Sequence, residues 1–153
     1  FVKYNKTSRT YNEITTTLVT GADLVRGASS TNEDTVYHLG DVLFGYDKEK
    51  WLAENFTKLN GKKHLVLGNH DNPKFLAPYF KSIKLWTELP GMVLSHAPLH
   101  EQTLNESHRF KDSILNVHGH IHTNACPPGP YKFVSVEQIN YTPLNIEDID
   151  IGQ

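Results

Sequence analysis

The sequence predicts an α/β domain, on three observations. A short apolar strand, Thr35–Leu39, stops at Gly40-Asp41; a helical stretch runs from Asp47 to Leu59; and a second apolar strand, His64–Leu67, stops at Gly68-Asn69-His70-Asp71. Strand, helix and strand in that order, with the helix as the connection, predict a parallel crossover. Further short strands in the second half extend the sheet content.

The elements are justified in chain order. Ile14, Leu18, Ala22 and Val25 recur at helical spacing and predict a helix over 11–25, against the local preference of its threonines and Gly21. Thr35–Leu39 is β-branched and aromatic and delivers Asp41 into a loop. In the next helix Asp47 stands at the N-cap position, Leu52, Phe56 and Leu59 form the apolar stripe with Trp51 beside it, and Gly61 follows as the C-terminal stop. Strands are predicted at Ile83–Trp86, Met92–Ser95, Ile114–Val117 and Tyr131–Val136. Pro90-Gly91 and Pro127-Pro128-Gly129-Pro130 mark loops between them.

A chain of 153 residues forms one domain, read here as 1–153. Its 15 basic and 17 acidic residues are interspersed and leave a net charge of -2, which excludes an electrostatic footprint for duplex nucleic acid. No run of about 18 apolar residues is present to span a bilayer, and the polar start carries no signal peptide, so no membrane partner is expected. A single cysteine, Cys126, forms no intramolecular disulfide, and a reducing, cytoplasmic setting is the simplest expectation. The first residue is Phe1 rather than a methionine, so residues are expected upstream of it.

Four times an apolar strand runs into ligand-type residues: Leu39-Gly40-Asp41, Leu67-Gly68-Asn69-His70-Asp71, Leu94-Ser95-His96 and Val117-His118-Gly119-His120-Ile121-His122. In layered sheet folds the carboxyl ends of strands gather around a common cleft, so these endings are expected to converge. The glycines before Asp41, Asn69 and His120 are expected to let the backbone turn sharply and bring a side chain close to an ion. Oxygen and imidazole donors without thiolates suit manganese, iron, zinc or cobalt. Such a cluster points to hydrolysis, because a pair of ions can acidify water and offset phosphoryl charge, while a free histidine supplies a proton.

Gly40-Asp41, Gly68-Asn69-His70-Asp71, Ser95-His96 and Gly119-His120-Ile121-His122 resemble, in order and spacing, the motifs of calcineurin-like metallophosphoesterases. Glu33–Asp41 and Asn140–Leu144 look most like the small phage and bacterial phosphoesterases. The resemblance covers nearly the whole chain. It implies a four-layer α/β/β/α sandwich of two mixed sheets flanked by helices, and a site holding two divalent transition ions. By the same resemblance Asp41 would bridge the ions, Asn69, His96 and His120 would bind the second, and His122 would complete the first. His70 would be the general acid, with Asp71 orienting its imidazole, and Asn69 would also touch the phosphate.

The family begins with an Asp-x-His motif that supplies two ligands to the first ion, and none precedes Asp41. The missing motif, and a first strand with it, are expected upstream of Phe1. The expected function is hydrolysis of a phosphate mono- or diester by a metal-activated hydroxide, on a small phosphorylated substrate such as a nucleotide. The alternative is a non-catalytic metal-binding or interaction module with an incomplete site. A single-strand nuclease is a third reading, disfavoured by the lack of a basic, aromatic stripe. Neither the oligomeric state nor the native metal is encoded.

Outside the motifs, ordinary roles are expected. His118 should point away from its neighbours on the strand, His38 should pack, and His64, His100 and His108 should be solvated or locally hydrogen-bonded. Arg26 and Arg109 read as surface charge, and Cys126 has no paired base. Specificity is expected in the loops Asn72–Tyr79 and Pro98–Asp112.

Overall fold

A computed structural model of the chain describes residues 2–4, 15–19, 22–26, 35–43, 48–59, 61–106, 113–139 and 143–149. The described elements are β1 (Val2–Tyr4), β2 (Thr15–Val19), β3 (Ala22–Arg26), β4 (Thr35–His38), α1 (Lys48–Asn55), β5 (Lys62–Val66) and α2 (Pro73–Leu76). They continue with β6 (Ser82–Lys84), β7 (Trp86–Leu89), β8 (Gly91–Ser95), α3 (Glu101–Glu106), β9 (Ser113–His118), β10 (Tyr131–Phe133) and β11 (Leu144–Asn145). Short 3-10 turns follow α1, α2 and β11.

The architecture is α/β with two mixed sheets. One runs β11-β1-β4-β5-β6, the other β10-β9-β8-β7, and β2-β3 stand as a separate hairpin. β4 and β5 are parallel neighbours joined through α1, as the crossover pattern requires. α1 buries Leu52 and extends through a 3-10 turn that buries Phe56; Gly61 then reverses the chain at φ +94°.

Alternation along the strands explains the layering. Val66 of β5 and Leu39 after β4 pack with Met92 and Leu94 of β8, Val117 of β9 and Val134, so this cluster draws on both sheets and lies between them. The adjacent Leu65 faces the other way, onto Leu52, Phe56, Leu76 and Phe80. Val93, between Met92 and Leu94, likewise turns outward to Leu104 of α3.

The expected helix over 11–25 is instead the antiparallel hairpin β2-β3, with Leu18 opposite Asp23 and Thr16 opposite Val25. Three successive β-branched threonines favour extended backbone, and that preference prevails. The expected strand Ile83–Trp86 is two strands: β6 pairs with β5 in the first sheet, β7 with β8 in the second, and Leu85, 64% exposed, stands at the crossing. Residues 72–79, expected as a loop, are helical because the Asn72 side chain accepts the N–H groups of Lys74 and Phe75 and Pro73 opens the helix. His108, Arg109 and Asp47 lie outside the described residues. Among the described residues no helix is long and apolar enough to cross a membrane.

Candidate metal centre

Parallel pairing brings the motifs together. β4 and β5 deliver Asp41 and the Asn69-His70-Asp71 turn from the first sheet, while β8 and β9 deliver His96 and His120 from the second. The two edges are stitched directly: His96 Nδ1 donates to Leu39 O at 2.7 Å, and the Gly119 N–H donates to His96 O at 2.9 Å. Beneath them Asn116, fully buried, donates to Val93 O at 3.1 Å and Ser95 Oγ at 2.8 Å and accepts the Leu99 N–H at 2.8 Å, which fixes the chain on either side of His96.

Gly40 and Gly68 are required by close approach. A Cβ on Gly68 would meet Asp41 N at 2.3 Å, and one on Gly40 would meet His96 Nδ1 at 2.4 Å and Gly68 Cα at 2.7 Å. Gly119 differs from expectation. A Cβ there would find its nearest neighbour at 3.7 Å, ordinary contact, and its backbone is not left-handed. The backbone freedom expected of Gly119 resides in the next residue instead: Asp41, His120 and His122, at φ 52°, 68° and 51°, are the non-glycine residues with positive φ among those described. All three are ligand-type residues of the motifs, and each such conformation costs on the order of 1–3 kcal/mol.

Asp71 locks the two loops of the first sheet together. Its Oδ2 accepts the N–H groups of Asp41 at 2.9 Å and Gly68 at 2.8 Å, and its Oδ1 accepts that of Val42 at 2.8 Å. The Asp41 carboxylate in turn accepts the His70 N–H at 3.1 Å through Oδ1, leaving Oδ2 toward the opposite sheet.

There it meets a convergence of acceptors. Leu39 O takes the Nδ1 proton of His96, so Nε2 presents its lone pair, and around it stand Asn69 Oδ1 at 2.9 Å, His120 Nδ1 at 3.0 Å and Asp41 Oδ2 at 3.4 Å. Asp41, His96 and His120 form a metal-capable group with one ligand atom each within 4.8 Å of one another. A single proton can bridge only two of these four atoms, whereas a cation satisfies all of them, so the donor set fits a divalent ion of the manganese, iron, zinc or cobalt kind. The side chains of Asp41 and His96 are 11% and 9% exposed, so the floor of the site is largely shielded from water, while Asn69, His70 and His120 line an open mouth.

The remaining motif histidine stands apart from that group. His122 Nδ1 lies 2.9 Å from Glu137 Oε1, on the turn after β10. Sequence reasoning missed Glu137 and Asn116, because neither sits in a motif and only the pairing of β8, β9 and β10 brings them to the site. The other described histidines, His118, His38, His64 and His100, have local packing or hydrogen-bonding roles. His118 is fully buried, stacked on Phe133 with centroids 5.5 Å apart, and donates to Gly119 O; burial lowers its pKa. His38 packs edge-on to Phe80, and burial pushes its pKa well below 6.5. His64 hydrogen-bonds Ser82 Oγ at 2.7 Å and His100 Nδ1 accepts the Gln102 N–H at 3.2 Å. Cys126 Sγ lies 3.7 Å from His118 Nε2, and desolvation raises its thiol pKa, which opposes a thiolate nucleophile.

Known proteins are similar to this chain in sequence and in fold. An uncharacterized protein of Methanocaldococcus jannaschii is 33% identical over 125 residues, covering 76% of this chain and 64% of that protein, so the chain spans under two thirds of the relative's length. The crystal structure of a protein of unknown function from Aquifex aeolicus is similar at a TM-score of 0.56 and 27% identity, over 72% of this chain and 71% of that one. The model of one family, the calcineurin-like phosphoesterases, matches residues 8–151, a span that includes every residue of the acceptor cluster, and the chain belongs to that family.

Proposed function

We propose that the chain is a metal-dependent phosphoesterase that hydrolyses a small phosphate mono- or diester, with a nucleotide among the candidate substrates. The observation that carries this reading is the convergence of Asp41, Asn69, His96 and His120 beside the exposed His70. Asp41, Asn69, His96 and His120 would hold one ion, and Asp41 and His122 would contribute to a second. Divalent ions held there supply Lewis acidity, acidifying water at neutral pH and offsetting phosphoryl charge. His70, tied to Asp41 through its backbone N–H, would donate a proton to the leaving-group oxygen. Asn69, with Oδ1 turned to His96, keeps its amide NH₂ for a phosphate oxygen. One cysteine in 153 residues is compatible with a cytosolic setting.

A second reading, a non-catalytic module that keeps the fold, draws on one observation: His122 stands outside the Asp41-His96-His120 group. Metal content and hydrolysis of an aryl phosphodiester decide between the two. Under the phosphoesterase reading the purified protein binds divalent ions and turns the ester over, and His70→Ala lowers turnover by about 10²- to 10⁴-fold without loss of metal. Metal-free protein with no turnover after addition of manganese would establish the module instead.

A further inference from the structure

We infer that Glu137, with support from Gln138, is a positioning residue that holds His122 as its Nδ1–H tautomer and so leaves Nε2 free to bind a cation. The inference rests on the phosphoesterase reading only for the identity of what Nε2 meets. A carboxylate carries no proton to give, so at the 2.9 Å contact between His122 Nδ1 and Glu137 Oε1 the imidazole must be the donor. With Nδ1 protonated, the only lone pair of the neutral ring is on Nε2.

Three further observations separate this contact from an ordinary surface pair. Glu137 is largely withdrawn from water, at 29% side-chain exposure against 57% for His122. Its second oxygen, Oε2, is enclosed without a hydrogen-bond partner among the described residues, so the carboxylate carries a desolvation cost that its one bond to His122 offsets only in part. A side chain selected for stability alone would be better replaced there by an apolar one. The backbone of His122 is also held in a left-handed conformation at φ 51°, which needs external support, and the same turn supplies it: Gln138 Nε2 donates to His122 O in a longer contact of 3.4 Å. The turn itself is closed by the N–H groups of Gln138 and Ile139 on Ser135 O. One short segment therefore grips both the ring and the carbonyl of His122.

The inference is tested on the full chain. Nitrogen NMR of the histidine rings, on metal-free protein at about pH 8 where an ordinary imidazole is neutral, reads the tautomer of His122 directly. Wild type and Glu137→Gln, whose amide oxygen still accepts, are expected to show Nδ1–H; Glu137→Ala is expected to move the population toward the Nε2–H form that free imidazole prefers. Equilibrium dialysis against manganese is then expected to show affinity about 10- to 100-fold weaker in Glu137→Ala, with most of it restored in Glu137→Gln, at an unchanged thermal midpoint of the metal-free proteins. The same tautomer in wild type and Glu137→Ala, or equal manganese binding by the two, would overturn the inference. Failure of the wild type to hydrolyse any phosphoester, with the tautomer shift intact, would instead defeat the phosphoesterase reading alone.

Discussion

Asp71 accepts the backbone N–H of Asp41 at 2.9 Å, and with two further bonds to Val42 and Gly68 its carboxylate pins the loops after β4 and β5 to each other. Hydrogen bonds to a charged acceptor contribute about 1.5–3 kcal/mol each, and their loss leaves backbone donors unpaired. Asp71→Ala is therefore expected to destabilise the fold by on the order of 3 kcal/mol, seen in chemical denaturation, and to lower metal affinity as Asp41 loosens. Asp71→Asn keeps one acceptor oxygen and should lose less. A loss of turnover in Asp71→Ala at unchanged stability would assign Asp71 to the His70 imidazole instead.

The three acceptors gathered around His96 Nε2 predict a metal-linked stability. An ion present at 100 times its dissociation constant stabilises a folded protein by about 2.7 kcal/mol. Manganese or zinc should raise the thermal midpoint of the wild type, and a chelator should reverse the rise. His96→Ala removes one donor of the group and Asp41→Asn removes its carboxylate charge, and each should abolish most of that shift. A rise of equal size in both variants would mean that the ion binds elsewhere.

The motif endings were legible in the sequence because each joins an apolar strand to a polar stop, and a strand's direction fixes where its carboxyl end points. Asp41, Asn69, His96 and His120 meet for that reason, from four separate stretches of the sequence, a proximity that no local pattern encodes but parallel pairing supplies. The hairpin β2-β3 was misread because Leu18 and Ala22 stand four apart in the sequence, imitating a helical turn, although they lie on neighbouring strands. Glu137 was invisible for a different reason. It stands 15 residues from His122, with no motif around it, and reaches the ring only through the packing of β10 beside β9.

Glycine requirements within the motifs differ in a way that substitution can expose. Gly68→Ala would force a Cβ within 2.3 Å of Asp41 N, a backbone atom that cannot swing aside, so the loops must separate. An overpacking cost of about 1–3 kcal/mol is expected, together with weaker metal binding. At Gly119 the added methyl finds nothing closer than 3.7 Å, and Gly119→Ala should leave both stability and metal affinity near wild type. Denaturant midpoints and dialysis of the two variants check the contrast; equal effects at the two positions would refute the steric account.

His64 predicts an acid-sensitive contribution to stability that is remote from the metal cluster. Its pKa is lowered, first by burial and then by the nearby charges of Lys84 and Lys81, while its ring stacks on Tyr37 and hydrogen-bonds Ser82. The folded state thus favours the neutral ring, and the unfolded chain binds the proton more readily. Below the unfolded value of about 6.5 the proton stabilises the unfolded state, so the contribution is present in full above that pH and declines as pH falls through the lowered folded value. His64→Asn removes the titration while keeping a side chain able to hydrogen-bond Ser82. Its thermal midpoint should fall less than that of the wild type between about pH 7 and pH 5, measured on metal-free protein so that ligand protonation in the cluster does not contribute. An unchanged difference between the two midpoints across that range would show that His64 is not the titrating group.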